Sequence, residues 1–413
     1  MMPLYLDNAA TSFPKPGCVL AAMVEYAGAC GAPSRGVHGP ARAAAGVVLE
    51  CRRRMALLLG APSAEHVVFT LNTSDALNMA LKGVVLKALS ERERVHVVTT
   101  ALDHNSVLRP LNALCAQFGG RVTQTRVPID AATGVASPGA VGAAMTPETV
   151  LVAVNHASNV NGAVQDAGAV GRVCRERGVL FLLDAAQSLG HVPVDMGAMH
   201  VDLCAFPGHK GALGPTGTGG LAMLPGVERD MVTLREGGTG TRSEVDTQPE
   251  FMPDRFEPGS HNTIGLAGLN AAAGWLLDRS VAALRVHEVG LIGRVLSAFE
   301  DAGRFPGMTL LGPKRAGERV GVFSVVHGEL SGAALATELE SRFGILTRPG
   351  VHCAPLAHQA LTGGRGACRF SLGPFVTEVD VDRCLAALSM LAREAEPVVR
   401  GTVPAGRIAA PAF

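Results

Sequence analysis

A chain of 413 residues with 36 basic and 36 acidic side chains carries no formal net charge, so nothing in its electrostatics calls for nucleic acid or an anionic membrane as partner, and a small, nearly neutral substrate fits better. Its hydrophobic residues (47%) include one Trp and two Tyr, which leaves a core of Ala, Val and Leu, and the length suits a large domain with a smaller one appended. The nine cysteines (18, 30, 51, 115, 174, 204, 353, 368 and 384) form no CxxC pair, so neither a zinc or other metal site nor a secreted disulfide scaffold is expected, and a cytoplasmic location is.

The N-terminus, MMPLYLDNAATSF, lacks a basic region followed by an apolar stretch, and no apolar run of spanning length occurs, so no membrane segment is expected. From about residue 40 to 224, short β-branched or apolar runs alternate with helical stretches, the pattern of a doubly wound, mainly parallel α/β sheet. The expected strands are His66 to Thr70, Val95 to Thr99, Val122 to Val127, Val150 to Val154, Val179 to Leu183, Asp202 to Phe206 and Gly219 to Leu224. Between them Ala41 to Leu59, Ser74 to Leu89, Ser106 to Phe118 and Ala167 to Arg177 read as amphipathic helices. Pro225 to Thr263, polar and rich in Gly and Pro, reads as a long functional loop. One helix from about Ile264 to Val286 then bridges to a smaller α+β domain, with strands at Met308 to Leu311, Val320 to Val326 and Cys368 to Leu372, and helices at Gly332 to Arg342 and Val379 to Ala392. The division expected is an N-terminal segment 1–20, a large domain 21–262, a connecting helix 263–286, a small domain 287–396 and a coil tail 397–413.

Ligands of open α/β sheets sit beyond the carboxyl ends of the strands. There Asp184 opens the run DAAQS directly after a buried strand, where an acid is either a helix N-cap or the anion beneath a cofactor. FPGHKGALGPTGTGG places His209 and Lys210 past the next strand; it matches neither GxxxxGK[ST] nor GxGxxG, which disfavours nucleotide binding. Lys210 taken alone reads better as a solvated turn residue. An amine for a Schiff base and an acid for a pyridinium nitrogen are together what pyridoxal phosphate (PLP) requires. TLNTSDALN offers Thr73 and Ser74 at a helix N-terminus for the phosphate, a role compatible with ordinary N-capping by Ser74.

From YLDNAATSFPKP to RFSLG the chain resembles the class V aminotransferase-like family of fold type I PLP enzymes, and within it the cysteine desulfurases, through LDNAAT, DHNSVLRPL, NHASNVNG, DAAQSLGHVPVDM, GHKGALGPTGTGG and RPGVHCAPLAH in that order. The resemblance implies that Lys210 is the Schiff-base lysine, Asp184 the partner of the pyridine nitrogen, Gln187 that of the ring hydroxyl and His104 the residue stacked on the ring. It assigns the phosphate to Ser74 and His209 with the backbone at Thr73, the substrate carboxylate to Asn159 and Arg369, and the substrate mouth to Asn8, Ala9 and Ala10. It implies a homodimer in which Ser260 reaches the partner's phosphate. Cys353, in RPGVHCAP, becomes the nucleophile that takes sulfur from L-cysteine and passes it to an acceptor protein, with Arg348 at the substrate and the charges of His352 and Arg348 favouring thiolate; a buried spectator is the ordinary fate of a cysteine. The short interval from Cys353 to Arg369 resembles the ordered cysteine loop of group II enzymes. Two departures stand out: Pro207 where the family places a phosphate-binding hydroxyl, and Gly259–Thr263 in place of GTPNT. The segment GGTGTRSE, with Arg242, is a subfamily feature or a plain surface turn. L-selenocysteine is the nearest alternative substrate, another class V transaminase or sulfinate lyase the next, and an inactive scaffold that keeps PLP the reading from a different class.

Overall fold

The computed structural model describes residues 3–33 and 36–395, so the expected tail 397–413 lies outside the described residues. A seven-stranded sheet runs in the order β2-β8-β7-β6-β5-β3-β4, from β2 (Val67–Thr70), β3 (Val95–Thr100), β4 (Val122–Val127), β5 (Thr149–Asn155), β6 (Leu180–Asp184), β7 (Leu203–Pro207) and β8 (Gly219–Met223). Only β8 opposes its neighbours. Residues of period two feed two separate cores: Val98, Val152, Phe181 and Leu183 enter one, Val97, Ala153, Leu182 and Ala205 the other. Strands buried on both faces need helices on both, which α1 (Gly17–Ala29), α2 (Gly39–Leu59), α3 (Thr73–Glu91), α4 (Asn105–Phe118), α5 (Pro138–Ala144), α6 (Ala167–Glu176) and α7 (Thr263–Arg279) supply.

The single bridging helix expected at 264–286 is instead two, α7 and α8 (Val281–Glu300), because Ser280 takes φ 65° and breaks the hydrogen-bond ladder. Beyond it, β9 (Met308–Leu310), β10 (Val322–His327), β12 (Arg348–Gly350) and β13 (Ala367–Ser371) form an antiparallel sheet in the order β12-β13-β10-β9. Leu291 and Val295 of α8, Leu339 of α9 (Gly332–Phe343) and Leu388 of α11 (Glu378–Glu394) share its core. The N-terminus joins this core as well: β1 (Leu4–Tyr5) pairs in parallel with β11 (Ile345–Leu346), and Leu4 and Leu6 are buried in it.

The 225–262 stretch contains two short 3-10 turns, Val227–Asp230 and Asp254–Phe256, and is tied down. Glu257 clamps Arg52 through bonds of 2.7 and 2.8 Å and accepts from the Phe69 amide at 2.6 Å, while Met231 and Phe256 are buried. Among the described residues no helix is long and apolar enough to cross a membrane, and no cluster of His, Cys, Asp and Glu suits a metal ion.

Candidate active site

The carboxyl ends of β2, β3, β5, β6 and β7 converge on a cavity of ≈ 90 Å³ lined by Thr73, Ser74, His104, Asn155, Asn159, Asp184, Gln187, His209 and Lys210. A larger hollow of ≈ 640 Å³, bordered by Lys87, Arg92, Thr149 and Leu180, lies at the opposite ends of the strands, away from the carboxyl ends where ligands of such sheets sit.

Asp184 ends β6, fully enclosed, with Oδ1 accepting from the Ala186 amide at 2.9 Å. Burial raises its pKa, and the Ala186 bond and Lys210 oppose that rise. Lys210, just past β7, is pushed down to about 8 chiefly by burial, with Asp184 opposing and Arg369 and Arg348 assisting, so an appreciable share of the amine is free near neutral pH. His104 caps α4 by accepting from the Ser106 amide at 3.0 Å. Burial and then Lys210 push it down to about 4, so its ring is neutral and suited to stacking rather than charge.

The start of α3 shows what this end of the cavity can hold. Thr73 Oγ1 and His209 Nδ1 are buried and have no hydrogen-bond partner within the protein. A phosphate at a helix N-terminus would satisfy both, and the Thr73 hydroxyl supplies a donor that Pro207 cannot. Burial is the main cause that brings His209 down to about 4, with Lys210 and Lys15 assisting. Ser74 Oγ is already engaged with Ser106 Oγ at 2.6 Å, which in turn bonds His104 Nδ1 at 2.9 Å. An anchoring lysine, a buried acid beneath and an orphaned donor pair at a helix start together fit PLP.

The N-terminal segment and the small sheet are bonded to this lining through Gln187 and Asn159. Arg369, on β13 and 1% exposed, donates from Nη2 to Asp7 Oδ1 at 2.8 Å and from Nη1 to the Asn159 carbonyl at 3.0 Å, while its Nε has no partner. Asn159 Nδ2 gives one of its two protons to the His352 carbonyl at 2.6 Å. Asn8 donates to the Ser371 carbonyl at 3.2 Å, the Ala9 amide to Ser371 Oγ at 2.8 Å, and Gln187 Nε2 to the Ala9 carbonyl at 2.9 Å, leaving a second amide proton on Gln187. Thr11 Oγ1 and the Ser12 amide both donate to the His209 carbonyl at 3.0 Å, so the segment spans from the small sheet to the peptide that carries Lys210.

Cys353 sits between β12 and α10 (Pro355–Thr362). His352 and Cys353 have φ of 50° and 58°, consecutive left-handed non-glycine residues that cost about 1–2 kcal/mol each. The turn is held by Asn105 N to the Cys353 carbonyl at 2.8 Å and Ala354 N to the Val351 carbonyl at 2.9 Å. His352 Nε2 faces the Arg348 carbonyl at 3.0 Å, His352 Nδ1 faces His358 Nε2 at 3.1 Å, and His358 Nδ1 faces the Arg365 carbonyl at 2.9 Å. Burial first, then Arg369, drives His352 down to about 3, so it lends no positive charge to the thiol, contrary to the sequence expectation. Arg348 Nη2, 3.8 Å from Cys353 Sγ, is the cation beside the sulfur.

Ser260 does not join the others: it borders a separate hollow of ≈ 440 Å³ with Arg52, Phe69, Glu257 and His261. Two residues not singled out from sequence are central to the geometry. Asp7 pairs with Arg369, and Asp103, fully buried, accepts from Thr100 N at 2.6 Å, Thr100 Oγ1 at 3.0 Å and Asn155 N at 3.0 Å. Both lie inside quoted motifs, which was their only sequence signal.

The family model for Aminotransferase class-V matches residues 4–384. The chain is 33% identical over 384 residues to a probable cysteine desulfurase of Methanothermobacter thermautotrophicus, covering 92% of each. It is 34% identical over 396 residues to a probable cysteine desulfurase of Aeropyrum pernix, covering 93% of each. Its structure resembles that of the cysteine desulfurase from Thermococcus onnurineus with a TM-score of 0.87, at 29% identity and 95% coverage of both chains.

Proposed function

The chain belongs to the class V aminotransferase family, whose members depend on PLP, and we propose that within it this protein is a cysteine desulfurase that converts L-cysteine to L-alanine and keeps the sulfur as a persulfide on Cys353. The observation that carries this reading is the placement of Cys353: Arg348, which pairs across the strands with Arg369, has its Nη2 3.8 Å from the thiol, and a strained turn fixes the thiol there.

PLP in this site would be held by Lys210, Asp184, Thr73, Ser74, His209 and Gln187, with His104 against its ring; it supplies a carbonyl for the substrate amine and a ring that stabilises negative charge at the substrate Cα. Arg369 meets the substrate carboxylate, its unpartnered Nε offering a donor, and Asn159 and Arg348 frame that corner. Asn8 and Ala9 close the mouth and keep the substrate's thiol turned toward Cys353. Lys210, with its amine pKa brought to about 8, moves the proton at Cα. The Cys353 thiolate attacks the substrate sulfur: the new S–S bond forms as the Cβ–S bond breaks, its electron pair stays on Cβ and takes up a proton, and alanine leaves. The neighbouring Arg348 guanidinium stabilises the attacking anion.

The working unit in this reading is a homodimer in the cytoplasm that hands sulfur to an acceptor protein. Exposed Leu20, Val24, Leu49 and Leu57 on α1 and α2, Leu49 also bordering the hollow that holds Ser260, support the dimer; nine unpaired cysteines suit a reducing compartment. The experiment is the yield of alanine and sulfide from L-cysteine by the PLP-loaded protein: stoichiometric alanine supports the reading, and transamination to a keto acid without sulfide refutes it.

A further inference from the structure

We infer that Asp7 is the fixed counter-ion of Arg369, a positioning residue that sets how tightly the carboxylate of substrate and product is held; this rests on the desulfurase reading, in which Arg369 meets that carboxylate. Substrate and product of this reaction share the same carboxylate, so a buried arginine with no counter-charge would hold alanine as firmly as cysteine and slow its departure. The structure supplies the counter-charge in advance. Asp7 Oδ1 takes one edge of the guanidinium at 2.8 Å, the Asn159 carbonyl takes a second proton at 3.0 Å, and Nε is left without a partner. Arg348 pairs across the strands with Arg369 and has no carboxylate partner among the described residues. Asp7 thus offsets the charge of Arg369 in advance, while Arg348 faces the Cys353 thiol at 3.8 Å.

Asp7 cannot follow the guanidinium if it moves. Its carbonyl accepts from the Ala10 amide at 3.0 Å and the Tyr5 hydroxyl at 3.1 Å, and the preceding Leu6 carbonyl takes the Ser371 amide at 2.7 Å. The segment is thus bonded to β13, the strand that carries Arg369, and on its far side to the His209 carbonyl. A rigid acid and a backbone carbonyl together hold the guanidinium plane, with Nε left unpartnered.

The test uses PLP-loaded wild type, Asp7→Asn, Asp7→Ala and Arg369→Lys, with KM for L-cysteine, kcat and inhibition by L-alanine measured for each. Asp7→Asn keeps the shape and an acceptor oxygen but removes the charge. It should lower KM, strengthen alanine inhibition about tenfold and lower kcat. Asp7→Ala releases the guanidinium as well and should raise KM about tenfold, with PLP retained. Opposite movement of the two variants is the signature of a positioning counter-ion; if Asp7→Ala does not fold, the Asn variant decides alone through its alanine inhibition. Wild-type constants in both, or a raised KM in Asp7→Asn, overturn the inference while the desulfurase reading stands if Arg369→Lys still raises KM. An unchanged KM in Arg369→Lys instead removes the carboxylate assignment on which the inference rests.

Discussion

Replacing Asp103 by Asn should invert a stability difference as pH rises. Asp103 is enclosed among Thr100, Asn155 and the neighbouring Asp184, and burial pushes its carboxyl from 3.8 up to about 7, the bonds from Thr100 and Asn155 opposing the rise. A group whose folded pKa is raised is still protonated in the folded chain when the unfolded chain has ionised. Stability therefore falls as pH climbs from about 4 to about 7, and a displacement of about three units corresponds to about 4 kcal/mol as an upper figure. The Asn variant has no such slope, but its amide turns a donor toward the N–H and hydroxyl groups that Asp103 accepts from, which costs about 1–3 kcal/mol at every pH. Below about pH 5 wild type should thus be the more stable, and above about pH 7 the variant should match or exceed it. Urea midpoints of the two cofactor-free proteins across that range read the crossing directly. Curves that stay parallel from acid to alkaline pH would show that Asp103 ionises freely in the folded protein and refute the reasoning.

Lys210→Ala should leave no borohydride-reducible link to PLP, because among the described residues no other lysine lines the cavity; labelling of a different lysine in the variant would contradict that. With the Lys210 amine brought down to about 8 by burial, capture of PLP by cofactor-free wild type should quicken as pH rises toward about 8 and level off above it, and a rate flat over that range would contradict the shift. His358→Ala removes a ring that spans from His352 to the Arg365 carbonyl; the persulfide yield per turnover should fall about tenfold with KM for L-cysteine unchanged, since the thiol but not the substrate is displaced. Unaltered yield would mean that the turn holds Cys353 without the histidine pair.

The alternation of apolar runs with amphipathic stretches located all seven strands of the large sheet to within a residue or two: burial on both faces imposes apolar runs on the inner strands, and the edge strand VTQTRV was marked by its β-branched residues. Helix α1 escaped notice: in GCVLAAMVEYAGA the apolar residues surround the helix instead of forming a stripe. Helix α10 follows Pro355 so closely that it read as loop, and the break at Ser280 depends on a backbone angle that no composition signals. Lys210, Asp184, Thr73 and His209 were visible because each sits at a strand end or helix start, positions that periodicity locates. Asp7 against Arg369 is a contact between residues 362 positions apart, and the neutrality of His352 follows from burial and from Arg369. Neither follows from spacing along the chain.

Sulfur transfer to Cys353 is tested most directly by mapping persulfide after PLP-loaded wild type and Cys353→Ser meet L-cysteine. Wild type should carry the mass of one added sulfur on the peptide containing Cys353 and should turn over slowly alone, faster with a thiol reductant or an acceptor protein. Cys353→Ser should retain PLP, since the lysine, acid and helix-start donors are untouched, yet form no persulfide, because a hydroxyl is a far weaker nucleophile toward sulfur than a thiolate. Release of alanine from L-selenocysteine by the variant would leave this reading unchanged, since selenium leaves more readily. Full desulfuration of L-cysteine by Cys353→Ser, or a persulfide mapped to another of the nine cysteines, would contradict it.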